Sequence, residues 1–96
     1  MPPPRLDPVV HEPVRLLVLT ALAAHGALLF PDLKRLVGTS DGNLGIHVRR
    51  LEEAGLVQAR KSFLGRVPST RLRLTAKGRA ALRRYATAMR RLLAPV

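Results

Sequence analysis

Between Leu56 and Leu74 the chain changes its apolar spacing. The runs Leu56 to Phe63 and Ser69 to Leu74 alternate apolar and polar side chains, and Leu64-Gly65-Arg66-Val67-Pro68 separates them. Alternation on both sides of a turn-rich segment predicts one antiparallel hairpin. Val57, Ala59, Leu72 and Leu74 then face inward, while Gln58, Arg60, Arg71 and Arg73 face water. No other stretch has this period beyond a short strand candidate at Ala27 to Phe30, so the hairpin must sit among helices.

Those helices are punctuated by proline, glycine and hydroxyl residues. Pro13 suits a first helical turn, because its missing N–H would be unpaired there, and Gly26 can end the helix in a left-handed conformation. The helix between them is apolar almost all round, so one face can meet the core while another needs the last helix or a partner chain. Pro31 opens a second, short helix over Asp32 to Val37, closed by Gly38. Thr39 and Ser40 are N-cap residues for a third, from Asp41 to Ala54. Leu44, Val48 and Leu51 share one face of it. The opposite face carries Gly42, Ile46, Arg49 and Glu53, with Asn43 and Arg50 on one shoulder and Gly45 on the other. Thr75 caps a last helix from Ala76 to about Leu93, whose stripe is Leu82, Tyr85, Met89 and Leu92.

The order α-β-α-α-β-β-α describes a winged helix-turn-helix, mainly α with a small hairpin. It occupies residues 13–93 as a single domain, after an extended, loose, proline-rich segment over 1–12.

Charge narrows the partner. The chain of 96 residues has 17 Lys plus Arg and 6 Asp plus Glu, a net charge of +11. Residues 1–53 are neutral overall, whereas residues 54–96 contain eleven basic side chains and no acid. Five of these, Arg60, Lys61, Arg66, Arg71 and Arg73, lie on the hairpin, and Lys77, Arg79, Arg83, Arg84, Arg90 and Arg91 flank the stripe of the last helix. A merely soluble surface mixes signs, so uncompensated charge at 60–73 points to a wing on DNA phosphate or in a minor groove. Arg50 is expected on a phosphate. Base contacts are expected from the N-terminal half of the third helix, at Ser40, Asn43, Ile46 and Arg49. Asn pairs bidentately with adenine, Arg with guanine, and Ile touches a thymine methyl. His47 leans toward the core and is expected to find a backbone partner.

The residues also carry a resemblance. Gly42-Asn43-Leu44, His47, Leu51-Glu52 and Ala54-Gly55 are followed by Lys61, Phe63, Gly65, Pro68, Thr70, Leu74-Thr75, Gly78-Arg79 and Tyr85. Over residues 9–93 the chain resembles the small single-domain MarR-like winged-helix transcriptional regulators. The resemblance implies a homodimeric DNA-binding regulator. The chain departs from the family pattern at Gly45, where the family has Ser, so a hydroxyl is missing there. Residues expected at a dimer interface are Leu16 and Leu19 on the first helix and Leu82, Tyr85, Met89 and Leu92 on the last, which makes 76–93 the dimerisation helix.

Other classes find little support. With no cysteine, thiol chemistry and disulfides are excluded. His11, His25 and His47 lack metal-ligand spacing, and there is no paired-carboxylate site, phosphate-cradling loop or nucleophile motif, so no enzyme, metal or cofactor is expected. Leu16 to Phe30 is too short to span a bilayer and lacks a basic leader, so a cytoplasmic protein without a membrane partner is expected. Two alternatives remain open: a sequence-neutral nucleoid or RNA binder, for which the charge alone suffices, and a module that docks an acidic protein.

Overall fold

The computed structural model describes residues 2–96; Met1, the first residue of the expected N-terminal segment, lies outside them. Four helices and three strands follow in the order α1 (Pro13–His25), β1 (Ala27–Leu29), α2 (Phe30–Val37), α3 (Asp41–Glu53), β2 (Val57–Leu64), β3 (Val67–Leu74) and α4 (Ala76–Leu93). This is the expected winged-helix order. The sheet is antiparallel with β3 in the middle, β1 on one side and β2 on the other.

Local chemistry accounts for most boundaries. Ser40 Oγ accepts the amide of Asn43 at 3.1 Å and so caps α3, while Thr75 Oγ1 accepts that of Gly78 at 2.9 Å and caps α4. Both satisfy an N–H that a helix start leaves without a partner. Glu12 performs the same task for α1, accepting from the amide of Arg15 at 2.7 Å. Pro31 lies inside the first turn of α2, which begins at Phe30 rather than Asp32.

The core is drawn from every helix and from the sheet. Val18, Leu19 and Leu22 of α1 meet Leu33 of α2, Leu44, Val48 and Leu51 of α3, Val57 and Leu72 of the hairpin, and Ala81 and Tyr85 of α4. The spacing of 44, 48 and 51 is one helical face, as expected.

Three features differ from the sequence expectation. First, the hairpin is longer: pairing runs out to Leu64 opposite Val67, leaving only Gly65 and Arg66 in the turn. Gly65 adopts φ +63°, the left-handed region that favours glycine in two-residue hairpin turns. Second, the N-terminal segment turns at Asp7 and docks. Asp7 accepts the amides of Val9 and His11 at 2.9 and 2.7 Å, and Val10 is fully buried. Third, the seam of α4 is rotated toward Gly78, Ala81 and Tyr85, leaving Leu82 and Met89 half-buried and Leu92 exposed. The cause is nonlocal: the Leu56 carbonyl lies so near Gly78 that a Cβ there would come within 1.9 Å of its oxygen.

The principal extents are 56 × 24 × 21 Å. From Lys61 through Pro68 every residue is exposed, so the far half of the hairpin projects beyond the core.

Candidate nucleic-acid interface

The solvent face of α3 begins where its cap ends. Ser40 uses its oxygen to hold the helix start, and Asn43 donates its side-chain amide to Thr39 Oγ1 at 2.7 Å. This bond orients Asn43 and leaves its side-chain oxygen and second N–H outward. One turn on, Ile46 is 62% exposed. Arg49 and Arg50 follow, both exposed, and neither has a side-chain hydrogen bond or ion pair among the described residues. An isoleucine in water beside unpartnered arginines stabilises nothing within the chain, and its side chain is free for an external partner.

α3 is fixed from behind. Lys34 of α2 reaches Asp41 at 3.1 Å, an exposed pair that contributes little stability but ties the last turn of α2 to the first turn of α3. His47 points to the other side. Its Nδ1 lies 3.2 Å from Arg15 Nη1 and 3.6 Å from Glu12 Oε1. The backbone partner expected for His47 is therefore replaced by side chains of α1. Arginine has no acceptor, so Nδ1 is the acceptor in that contact. Arg15 also donates to the carbonyls of Val9, at 2.6 Å, and Pro8, at 3.2 Å. One guanidinium thus holds the N-terminal segment against the back of α3.

On the hairpin, Arg60, Lys61, Arg66, Arg71 and Arg73 are all exposed. Arg60 and Arg71 are direct cross-strand partners on the outward face, beside Gln58 and Arg73. Arg73 donates from Nε to Gln58 Oε1 at 2.9 Å; the other four cations have no side-chain partner among the described residues. Three arginines thus share a narrow strip of one sheet face without an acid to neutralise them. An anionic polymer supplies what that strip lacks.

Sequence reasoning missed the apolar end of this hairpin. Phe63, Leu64 and Val67 are 69%, 63% and 65% exposed. The sequence carries no distinct signal for it, because Phe63 keeps the inward parity of Val57 and Ala59 and its spacing does not show that the core has already ended.

The residues expected at a dimer interface divide. Leu19 is fully buried, and Tyr85 is buried and shares a 2.9 Å hydrogen bond with His11 Nδ1. Both already serve the single chain and cannot meet a partner on its surface. Leu16, Leu82 and Met89 are half-buried against the core, and Leu92 is exposed, as are Leu17 and Leu93. Among the described residues no group of His, Asp or Glu is arranged to hold a metal, and no helix is long and apolar enough to cross a membrane.

A family model for the winged helix DNA-binding domain matches residues 14–93. The chain belongs to that family. It is 37% identical over 78 residues to an uncharacterized protein of Methanocaldococcus jannaschii, a match covering 80% of this chain and 84% of that protein. The solved structure of a transcriptional regulator homologue from Pyrococcus horikoshii superposes with a TM-score of 0.84 at 26% identity, covering 91% of this chain and 86% of that one. A MarR family transcriptional regulator from Silicibacter pomeroyi shares the fold at a TM-score of 0.72 and 23% identity, covering 91% of this chain and 56% of its own. This winged-helix chain is thus MarR-like in fold, and the family is one of DNA-binding regulators rather than enzymes.

Proposed function

We propose that this winged-helix chain is a homodimeric, sequence-specific regulator of transcription that lays α3 in the major groove and its basic wing on phosphate or in the adjacent minor groove. The observation that carries the reading is the solvent face of α3, where exposed Ile46 stands among Asn43 and the unpaired Arg49 on a helix whose other face is core. In this reading Ser40, Asn43, Ile46 and Arg49 meet base edges, and Arg50, Arg60, Lys61, Arg66, Arg71 and Arg73 meet the backbone or minor groove. Residues 13–93 act as the DNA-binding unit. The exposed Leu17, Leu92 and Leu93, with half-buried Leu16, Leu82 and Met89, supply the apolar surface for a second copy along 76–93. Two recognition helices then fall about one DNA turn apart, roughly 34 Å.

Selection of binding sites from a random duplex pool tests this directly. The expected result is an inverted repeat with half-sites about one helical turn apart. Asn43→Ala or Arg49→Ala should alter the base preferred at one position per half-site, whereas Arg66→Ala should weaken all duplexes alike. The segregation of all the net charge into residues 54–96 favours a second reading, a sequence-neutral nucleic-acid binder. Equal competition by bulk DNA or duplex RNA against the best selected site would establish that reading instead.

A further inference from the structure

The hairpin ends in hydrocarbon. Phe63 stands opposite Pro68 on one face of the tip and Leu64 opposite Val67 on the other, and all four are exposed. The core contact of the hairpin stops at Ala59 and Leu72, so nothing in the domain covers them. An apolar cluster displayed on a projecting element marks a contact surface.

The surroundings decide what it contacts. Arg66 sits in the turn itself, Lys61 precedes Phe63 by two residues, and Arg60 faces Arg71 further down. None of these four has a side-chain partner among the described residues, and residues 54–96 contain no acid. Two such tips brought together would oppose cation to cation, which disfavours a second copy as the occupant. The occupant must combine dense negative charge with an apolar interior. Duplex DNA has both, in its phosphates and its stacked bases, and the chain belongs to a DNA-binding family.

We propose that the wing tip is a wedge that opens a base step and kinks the bound duplex. Arg66 draws the tip into the minor groove, and Phe63, Leu64 and Val67 press against the base pairs, partly unstacking them as apolar wedges do in minor-groove architectural proteins. The reach is adequate: the exposed outer half of β2, residues 61–64, spans roughly 13 Å, more than the depth of about 7.5 Å of a minor groove. The wedge adds a source of specificity that no hydrogen bond from α3 supplies, because pyrimidine–purine steps such as TA unstack more easily than others. This inference rests on the DNA-binding reading above and makes the wing a deforming element rather than a passive phosphate contact.

The test uses the full chain and duplexes of about 30 base pairs, end-labelled for energy transfer, carrying either TA or GC at the wing position. A matched set carries 2-aminopurine at the step. The unaltered protein is expected to shorten the end-to-end distance, raise 2-aminopurine fluorescence and prefer the TA duplex roughly tenfold. The paired substitution Phe63→Ser, Leu64→Ser removes exposed side chains and leaves the core intact; it should abolish the bend, the fluorescence rise and the TA preference. Its salt dependence of binding should stay unchanged, because no cation is lost. Arg66→Ala should instead lower the salt slope by about one. Binding without bending by the unaltered protein, or an equal bend by the paired variant, overturns the wedge while leaving the DNA-binding reading standing. So does loss, in the variant, of binding to vesicles of anionic lipid with DNA bending unaffected, which assigns the tip to a membrane surface. Failure of the unaltered protein to bind any duplex overturns the underlying reading itself.

Discussion

Arg60 and Arg71 are direct cross-strand partners in the antiparallel ladder between β2 and β3. Like charges placed directly opposite one another cost on the order of 0.2–1 kcal/mol relative to neutral pairs. Neither guanidinium has a side-chain acceptor among the described residues to offset that cost. Arg60→Thr is therefore expected to leave the melting temperature of the free protein unchanged or raise it slightly, since threonine also suits a strand. The same substitution should weaken duplex binding several-fold and lower the salt slope by about one unit if Arg60 meets a phosphate. Thermal melting and a salt titration read these opposite signs independently; a loss of stability would show that the pair supports the fold.

Gly78→Ala should be among the most damaging single substitutions available. A Cβ there would lie 1.9 Å from the carbonyl oxygen of Leu56 and 2.8 Å from its carbon. Backbone atoms of Leu56 cannot simply turn aside, because that same carbonyl accepts the amide of Thr75 at 3.1 Å and the Thr75 hydroxyl donates to Gly55 at 2.6 Å. Overpacking of this kind costs about 3 kcal/mol, which in a domain of this size lowers the melting temperature by on the order of 15 °C. A melting temperature within a few degrees of the unaltered protein would mean that the start of α4 can lift away from the turn.

This junction marks where local reading ends. The caps at Ser40 and Thr75, the buried triad of α3 and the inward set of the hairpin follow from residue type and spacing, and each is present. The rotation of α4 onto Ala81 and Tyr85 depends on Leu56, more than twenty residues away, so the apolar stripe alone points to the wrong angle. The docking of residues 7–12 was hidden in the same way: proline-rich composition reads as extended chain, and the bonds that fold it down come from Arg15. In the candidate interface, exposure of Asn43, Ile46 and Arg49 was legible because helical geometry places them opposite Leu44, Val48 and Leu51. The tip of the wing was not, because an apolar residue that continues an inward pattern past the edge of the core looks the same in sequence as one that is buried.

Gly45→Ala separates stability from binding. A Cβ at Gly45 would meet nothing within 4 Å, and glycine in a helix interior is less favourable than alanine by roughly 0.5–1 kcal/mol. The substitution should raise the melting temperature by a few degrees. The regulators that the chain resembles have serine at this position, so a Cβ is compatible with a bound duplex, and binding to selected duplexes should stay within about twofold of the unaltered protein. A variant more stable but much weaker on selected duplexes would show that the duplex approaches the helix backbone closely at Gly45.

Arg15→Ala should release the N-terminal segment without unfolding the domain. The guanidinium donates to the carbonyls of Val9 and Pro8 and to Nδ1 of His47, so its removal leaves three acceptors to water or to no partner. Loss of a charged, partly buried donor of this kind costs about 2 kcal/mol. Arg15→Lys should recover only part of it, because one ammonium group cannot reproduce the planar fork that reaches three acceptors on two sides. Hydrogen exchange distinguishes this local effect from general weakening. The amides of His11 and Glu12, bonded to Asp7 and Val10 within the turn, should exchange much faster in Arg15→Ala, while those of Leu51 and Leu72 in the core should change only as far as global stability falls. Uniform acceleration at all four sites would mean that the segment is held by burial of Val10 and the His11–Tyr85 hydrogen bond, with Arg15 contributing nothing specific. Selective acceleration would establish that one arginine of α1 couples the start of the chain to the helix proposed to read DNA.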